Sequence, residues 1–63
     1  MTTIKEFEKE WNNAKYDMKI IELKTHGLLY ADKYSYDLDG HVSLYFRGVY
    51  FGIIHLNGIK LVW

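Results

Sequence analysis

Three histidines, His26, His41 and His55, are the residues with which this chain could hold a metal ion, and Ser35 or Ser43 beside one of them is what a hydrolytic nucleophile would need. A metal site built from neighbouring ligands has a recognisable spacing, such as two histidines four apart on a helix, and no pair here has it. His26 and His41 fall in or beside different turns and His55 in a strand, which reads as turn and surface imidazoles. Neither serine sits on the sharp strand-to-helix turn that exposes a hydrolase nucleophile. Glu6 and Glu10 share a helix face, but they belong to a solvated stripe, and a chain of 63 residues has little room for the pocket that acid–base work requires. The residue types and spacings therefore predict no catalytic group, no metal and no cofactor.

Two stretches resemble known motifs in part. Asp37-Leu38-Asp39-Gly40-His41 resembles a fragment of an EF-hand calcium loop, but that loop needs a third acidic or amide ligand before the glycine and a glutamate six residues after it, and no glutamate follows Glu22. A hairpin turn is the expectation there, with aspartate and glycine serving backbone geometry. Arg47 to Ile54 resembles the signature of the RNA-recognition motif, in which a basic residue and glycine precede stacking aromatics. Arg47, Gly48 and Phe51 agree with it, three of seven specified positions; Val49 stands where the first stacking aromatic belongs. One helix followed by strands also departs from the β-α-β-β-α-β order of that family.

Composition narrows the classes further. Eight basic residues balance eight acidic ones, so no net field draws the chain to phosphate or anionic lipid. Cysteine is absent, which excludes disulfides and zinc–thiolate sites. The first residues are polar and acidic, unlike a secretion signal, and no run of about 18 apolar residues could span a bilayer. A cytoplasmic protein is expected. Chains this short bury only roughly 60% of their unfolded surface, so dense packing or self-association has to supply stability.

The elements follow from periodicity. Thr3 and Glu6 have the spacing of a capping box, and Ile4, Phe7, Trp11, Ala14 and Met18 recur at three and four, predicting a helix over about residues 3–17. Asn12 and Asn13 weaken its third turn. Glycine-containing turns at His26-Gly27, Asp39-Gly40, Arg47-Gly48 and Asn57-Gly58 then divide the chain into five strands, near 19–25, 28–36, 42–46, 49–56 and 59–63. The predicted fold class is α+β: one domain, 1–63, an N-terminal helix on an antiparallel β-meander of four to five strands. Asn57-Gly58 predicts a two-residue hairpin that sets Leu56 opposite Ile59, Ile54 opposite Leu61 and Gly52 opposite Trp63. Asp39-Gly40 predicts a three-residue loop pairing Tyr36 with Val42 and Tyr34 with Leu44, and Arg47-Gly48 a turn pairing Phe46 with Val49 and Leu44 with Phe51.

These registers produce two apolar faces. One carries Tyr34, Tyr36, Val42, Leu44, Phe46, Val49, Phe51, Ile53 and Val62; the other carries Tyr45, Tyr50, Ile54, Leu56, Ile59, Leu61 and Trp63. A single helix covers one of them, so either the sheet curls toward a small barrel or another chain covers the second. The expectation is a non-enzymatic protein-binding module, homodimeric through the second face. Its apolar contacts would be Tyr45, Tyr50, Leu56, Ile59 and Trp63, and its polar contacts Glu6, Glu10 and Asp17. In size and style the chain resembles the small accessory proteins of phages and mobile elements, which implies inhibition of a host enzyme or defence nuclease by occupying its surface. The alternative is a binder of single-stranded nucleic acid, stacking bases on tyrosines 30, 34, 36, 45 and 50 with Lys33, Arg47 and Lys60 at the phosphates.

Overall fold

The computed structural model describes residues 3–63. Thr3 is extended (φ −131°, ψ 155°) and its hydroxyl accepts the Glu6 N–H at 3.2 Å, starting helix α1 (Ile4–Asn13) as the capping spacing predicts. The helix stops earlier than expected. After the weak formers Asn12 and Asn13, Ala14 turns extended (ψ 141°) and its N–H bonds Trp11 O, so Met18 and Asp17 lie beyond the helix. Lys15 to Met18 instead form a bend, closed by Lys19 Nζ donating to Tyr16 O.

Six strands follow: β1 (Lys19–Leu23), β2 (Gly27–Ala31), β3 (Lys33–Tyr36), β4 (His41–Phe46), β5 (Val49–His55) and β6 (Ile59–Val62). They make two three-stranded antiparallel sheets, ordered β2-β1-β6 and β3-β4-β5. The α+β class holds, and the uninterrupted meander does not. The single strand expected over 28–36 bends at Asp32 into β2 and β3, one in each sheet, and the Asp32 N–H crosses to Tyr45 O at 2.9 Å.

The second departure is at Asn57-Gly58. Neither residue takes a positive φ, so the two-residue hairpin does not form. Leu56–Gly58 is a 3-10 turn, with His55 Nδ1 accepting the Asn57 N–H and the Ile59 N–H bonding Leu56 O. It carries the chain from one sheet to the other, where β6 pairs with β1 and Gly58 O accepts the Lys24 N–H at 2.9 Å. Leu56–Ile59, Ile54–Leu61 and Gly52–Trp63 are consequently not partners.

The two sheets face each other across the core. Ile21, Ala31, Ile59 and Val62 come from one, Val42 and Leu44 from the other, Leu56 from the 3-10 turn and Phe7 from the helix, all essentially inaccessible to water. The helix spans the opening between the sheets. It lies against β6, and its Phe7 and Trp11 rings pack on Tyr34 of β3 at 4.9 and 4.8 Å between centroids, edge on. Splitting the strands into two sheets thus lets one helix serve both inner faces.

Candidate protein-contact surface

The β4–β5 hairpin keeps the register its turn predicts as far as Tyr45 and Tyr50. Arg47 (φ 51°) and Gly48 (φ 80°) both take positive φ, and Phe46 pairs with Val49. Arg47 is held there by Asp32, whose Oδ2 accepts its N–H at 3.0 Å, and its guanidinium lies over the Phe46 ring at 5.2 Å. Next along β5 comes a bulge: Tyr45 pairs with Tyr50 but Leu44 with Gly52, leaving Phe51 as the extra residue beside Gly52 at φ 142°. The expected Leu44–Phe51 pair is therefore wrong by one residue.

That one residue reverses the rest of the strand, because side chains alternate with period two. Ile54 now stands opposite Val42 and packs on the core, while Ile53 stands opposite Ser43 on the outer face. The two faces expected from a bulge-free strand had these isoleucines exchanged. With Ile53 outward, four apolar side chains of β5 meet water: Val49, Tyr50, Phe51 and Ile53 are 60, 55, 51 and 55% exposed. Tyr45, half-buried on β4, meets Tyr50 ring to ring at 5.5 Å, and Lys33 of β3 lies directly across from Tyr45.

Of the residues expected at a contact surface, Tyr45 and Tyr50 are brought together here. Leu56 and Ile59 are core, 2 and 0% exposed, and offer nothing to a partner; the hairpin that would have turned them outward is absent. Trp63 belongs to the other sheet, bonded through its backbone to Ile20 at 3.1 and 2.8 Å. With Glu10, Tyr16, Ile20 and Val62 it lines an open hollow of about 430 Å³ at the end of α1. Glu6 and Glu10 sit four apart on α1, whereas Asp17 lies in the bend beyond it, so the three carboxylates do not share a helix face. Sequence reasoning set Phe51 and Ile53 inward; the signal for the bulge is Gly52, the only residue of β5 without a side chain to pack.

The histidines have structural employment. His41 and His55 are cross-strand partners with ring centroids 5.0 Å apart, an adjacency the β4–β5 register decides, and His26 stays apart, bonded to Thr25 Oγ1 at 2.7 Å. His55 Nε2 lies 3.1 Å from Asp39 O while its Nδ1 serves Asn57. Asp37 closes the β3–β4 loop as an Asx turn, with Oδ1 accepting the Asp39 and His41 N–H groups at 2.9 and 3.0 Å. The His41 N–H is the main reason the Asp37 carboxyl titrates below its ordinary value. Gly40 takes φ 85°, and the loop pairs Tyr36 with Val42 and Tyr34 with Leu44, as expected. Donor atoms of Asp37, Asp39 and His41 come within 4.8 Å of one another on this exposed loop. Burial, and then the Glu8 carboxylate, raise the Tyr34 hydroxyl above its usual range.

Among the described residues no charged or polar residue is buried as a whole, though the Oδ1 atom of Asp32 is. Among the described residues no helix is long and apolar enough to cross a membrane. Comparison with protein-family models, with curated proteins and with solved structures found no match.

Proposed function

We propose that this chain is a non-enzymatic protein-binding module whose contact surface is the outer face of the β3-β4-β5 sheet, centred on Tyr45, Tyr50 and Ile53. The observation that carries this reading is the apolar strand β5, whose Val49, Tyr50, Phe51 and Ile53 are each more than half exposed, Ile53 because of the bulge. Contiguous exposed aromatic and aliphatic groups are what protein interfaces use as anchors, since a flat ring buries large area at little rotamer cost. Occupancy is the mode that fits such a surface: a small cytoplasmic blocker, of the kind the phage and mobile-element accessory proteins it resembles in size and style would be.

The test is affinity capture with the purified chain, run beside Tyr45→Ser and Tyr50→Ser. A stoichiometric partner held by the parent and lost by both variants supports the reading; equal capture by all three removes it. A second reading has one observation behind it. Lys33 across from Tyr45, with Tyr50 in ring contact, sets a cation beside a stacking pair, as a single-strand binder would. Salt-dependent binding of an oligonucleotide, lost in Tyr45→Ser, would favour it over protein contact.

A further inference from the structure

We infer that His55 is an acid-sensitive clasp: a neutral imidazole that ties the β3–β4 loop to the 3-10 turn between the sheets, and releases that turn when it takes up a proton.

The two ring nitrogens of His55 meet groups of opposite kind. Nδ1 lies 3.1 Å from the backbone N–H of Asn57, which can only donate, and Nε2 lies 3.1 Å from the carbonyl oxygen of Asp39, which can only accept. One protonation state satisfies both, the neutral ring with its proton on Nε2. An imidazolium carries N–H on both nitrogens, so at Nδ1 it would set donor against donor. Helix N-caps are ordinarily Ser, Thr, Asp or Asn, whose oxygens still accept at about pH 5. Here the cap of Leu56–Gly58 is a histidine, and the cap exists only while Nδ1 keeps its lone pair.

What the clasp holds is the crossing between sheets. On one side Leu56, a core residue, gives its N–H to Gly40 O of the loop at 2.8 Å; on the other, Gly58 O takes the Lys24 N–H at 2.9 Å and Ile59 enters the core. The titratable and charged groups around the ring come from the neighbouring strands and the loop. His41 of β4 stands 5.0 Å away between ring centroids, and its Nδ1 lies 3.4 Å from Asp37 Oδ2. Asp37 and Asp39 of the loop, both exposed, and Tyr36 of β3 line a hollow with His55, to which the start of α1 adds the uncharged Thr3 and Ile4.

A proton on His41 therefore gains the Asp37 carboxylate, whereas a proton on His55 loses the Asn57 N–H. The exposed carboxylates attract charge on His55 through water, where attraction is screened; the lost cap is a direct contact. Acid thus acts on the two histidines in opposite senses, and neutral His55 is the form that favours the fold. Its contribution is full where histidines are neutral and disappears as pH falls through the range in which they take up protons, about 7 to 5.

Between about pH 7.5 and 5.5 the thermal midpoint of the parent should fall by roughly 4–8 °C, the shift a lost cap produces in so small a domain. His55→Asn supplies a cap acceptor that does not titrate, so it should keep the parent's midpoint at the higher pH to within about 2 °C and lose most of the fall; His41→Asn should enlarge the fall. In the parent, nitrogen NMR at the higher pH should find the His55 proton on Nε2. On acidification the Asn57 amide should shift with the same midpoint as the His55 ring, and its protection against hydrogen exchange should drop about tenfold. A proton on Nδ1 at the higher pH, an Asn57 amide that stays in place while the ring titrates, or equal acid losses in the parent and His55→Asn would overturn the inference. Should His55→Asn not fold, the ring and amide readings on the parent decide by themselves.

Discussion

Asp32 Oδ2 accepts the backbone N–H of Arg47 at 3.0 Å, tying the corner where the chain changes sheets to the turn that opens β5. The two residues are fifteen apart in the chain. The same aspartate bonds Tyr45 O through its own N–H, so one residue anchors both the bend and the hairpin that presents the apolar strand. Its Oδ1 is buried without a hydrogen-bond partner.

Asp32→Ala removes the acceptor and leaves the Arg47 N–H in a turn of positive φ without its side-chain partner. A loss of about 1–2 kcal/mol is expected, read as a fall in thermal midpoint of roughly 4–8 °C per kcal/mol for a domain of this size.

Arg47 is the only non-glycine among the described residues with positive φ. Arg47→Gly relieves that conformation and should raise stability by about 0.5–1 kcal/mol, less whatever the guanidinium contributes over Phe46. Denaturant unfolding of the two chains side by side measures the difference.

Ile59 and Tyr50, both once expected on one contact face, should separate cleanly. Ile59→Ala opens a cavity in the core and should cost about 2–5 kcal/mol, enough to unfold much of so small a domain. Tyr50→Ser should stay within about 1 kcal/mol of the parent by thermal melt, its effect falling on binding instead.

The Asp37 carboxylate is held below its ordinary value of 3.8 chiefly by the His41 N–H. A depressed folded-state value means the charged form favours the fold: its contribution is full above the ordinary value and disappears as pH falls through the lower, folded-state one. NMR titration should show the Asp39 and His41 amides shifting together below that ordinary value, and Asp37→Ala should abolish the common transition.

Gly40 has φ 85°, and a Cβ there would come within 3.3 Å of His55 Nε2. Gly40→Ala should therefore cost about 1–2 kcal/mol in left-handed strain alone and displace the imidazole from Asp39 O. A changed His55 ring shift together with a lowered melting temperature would show both effects.

What the sequence determined by itself was local. The Thr3 cap, the Asp39-Gly40 loop with its register, the Arg47-Gly48 turn and the α+β class were all legible, because each depends on a few adjacent residues whose φ preferences and side-chain acceptors decide the outcome. Tyr45 and Tyr50 as neighbours followed from the same hairpin. What only the tertiary structure decided was which faces are inside. The bend at Asp32, the bulge at Phe51 and the passage of Leu56–Gly58 between sheets each trade a local preference for burial of Leu56, Ile59 and Val62 against Ile21, Val42 and Leu44. Asn57-Gly58 would suit a hairpin in isolation, but that hairpin would leave β6 beside β5 and Ile21 without its cover, and the apolar area at stake across the core outweighs the preference of one turn. Strand period two then propagates each such choice along the chain, which is why a single extra residue moved Ile53 to the surface and Ile54 to the core.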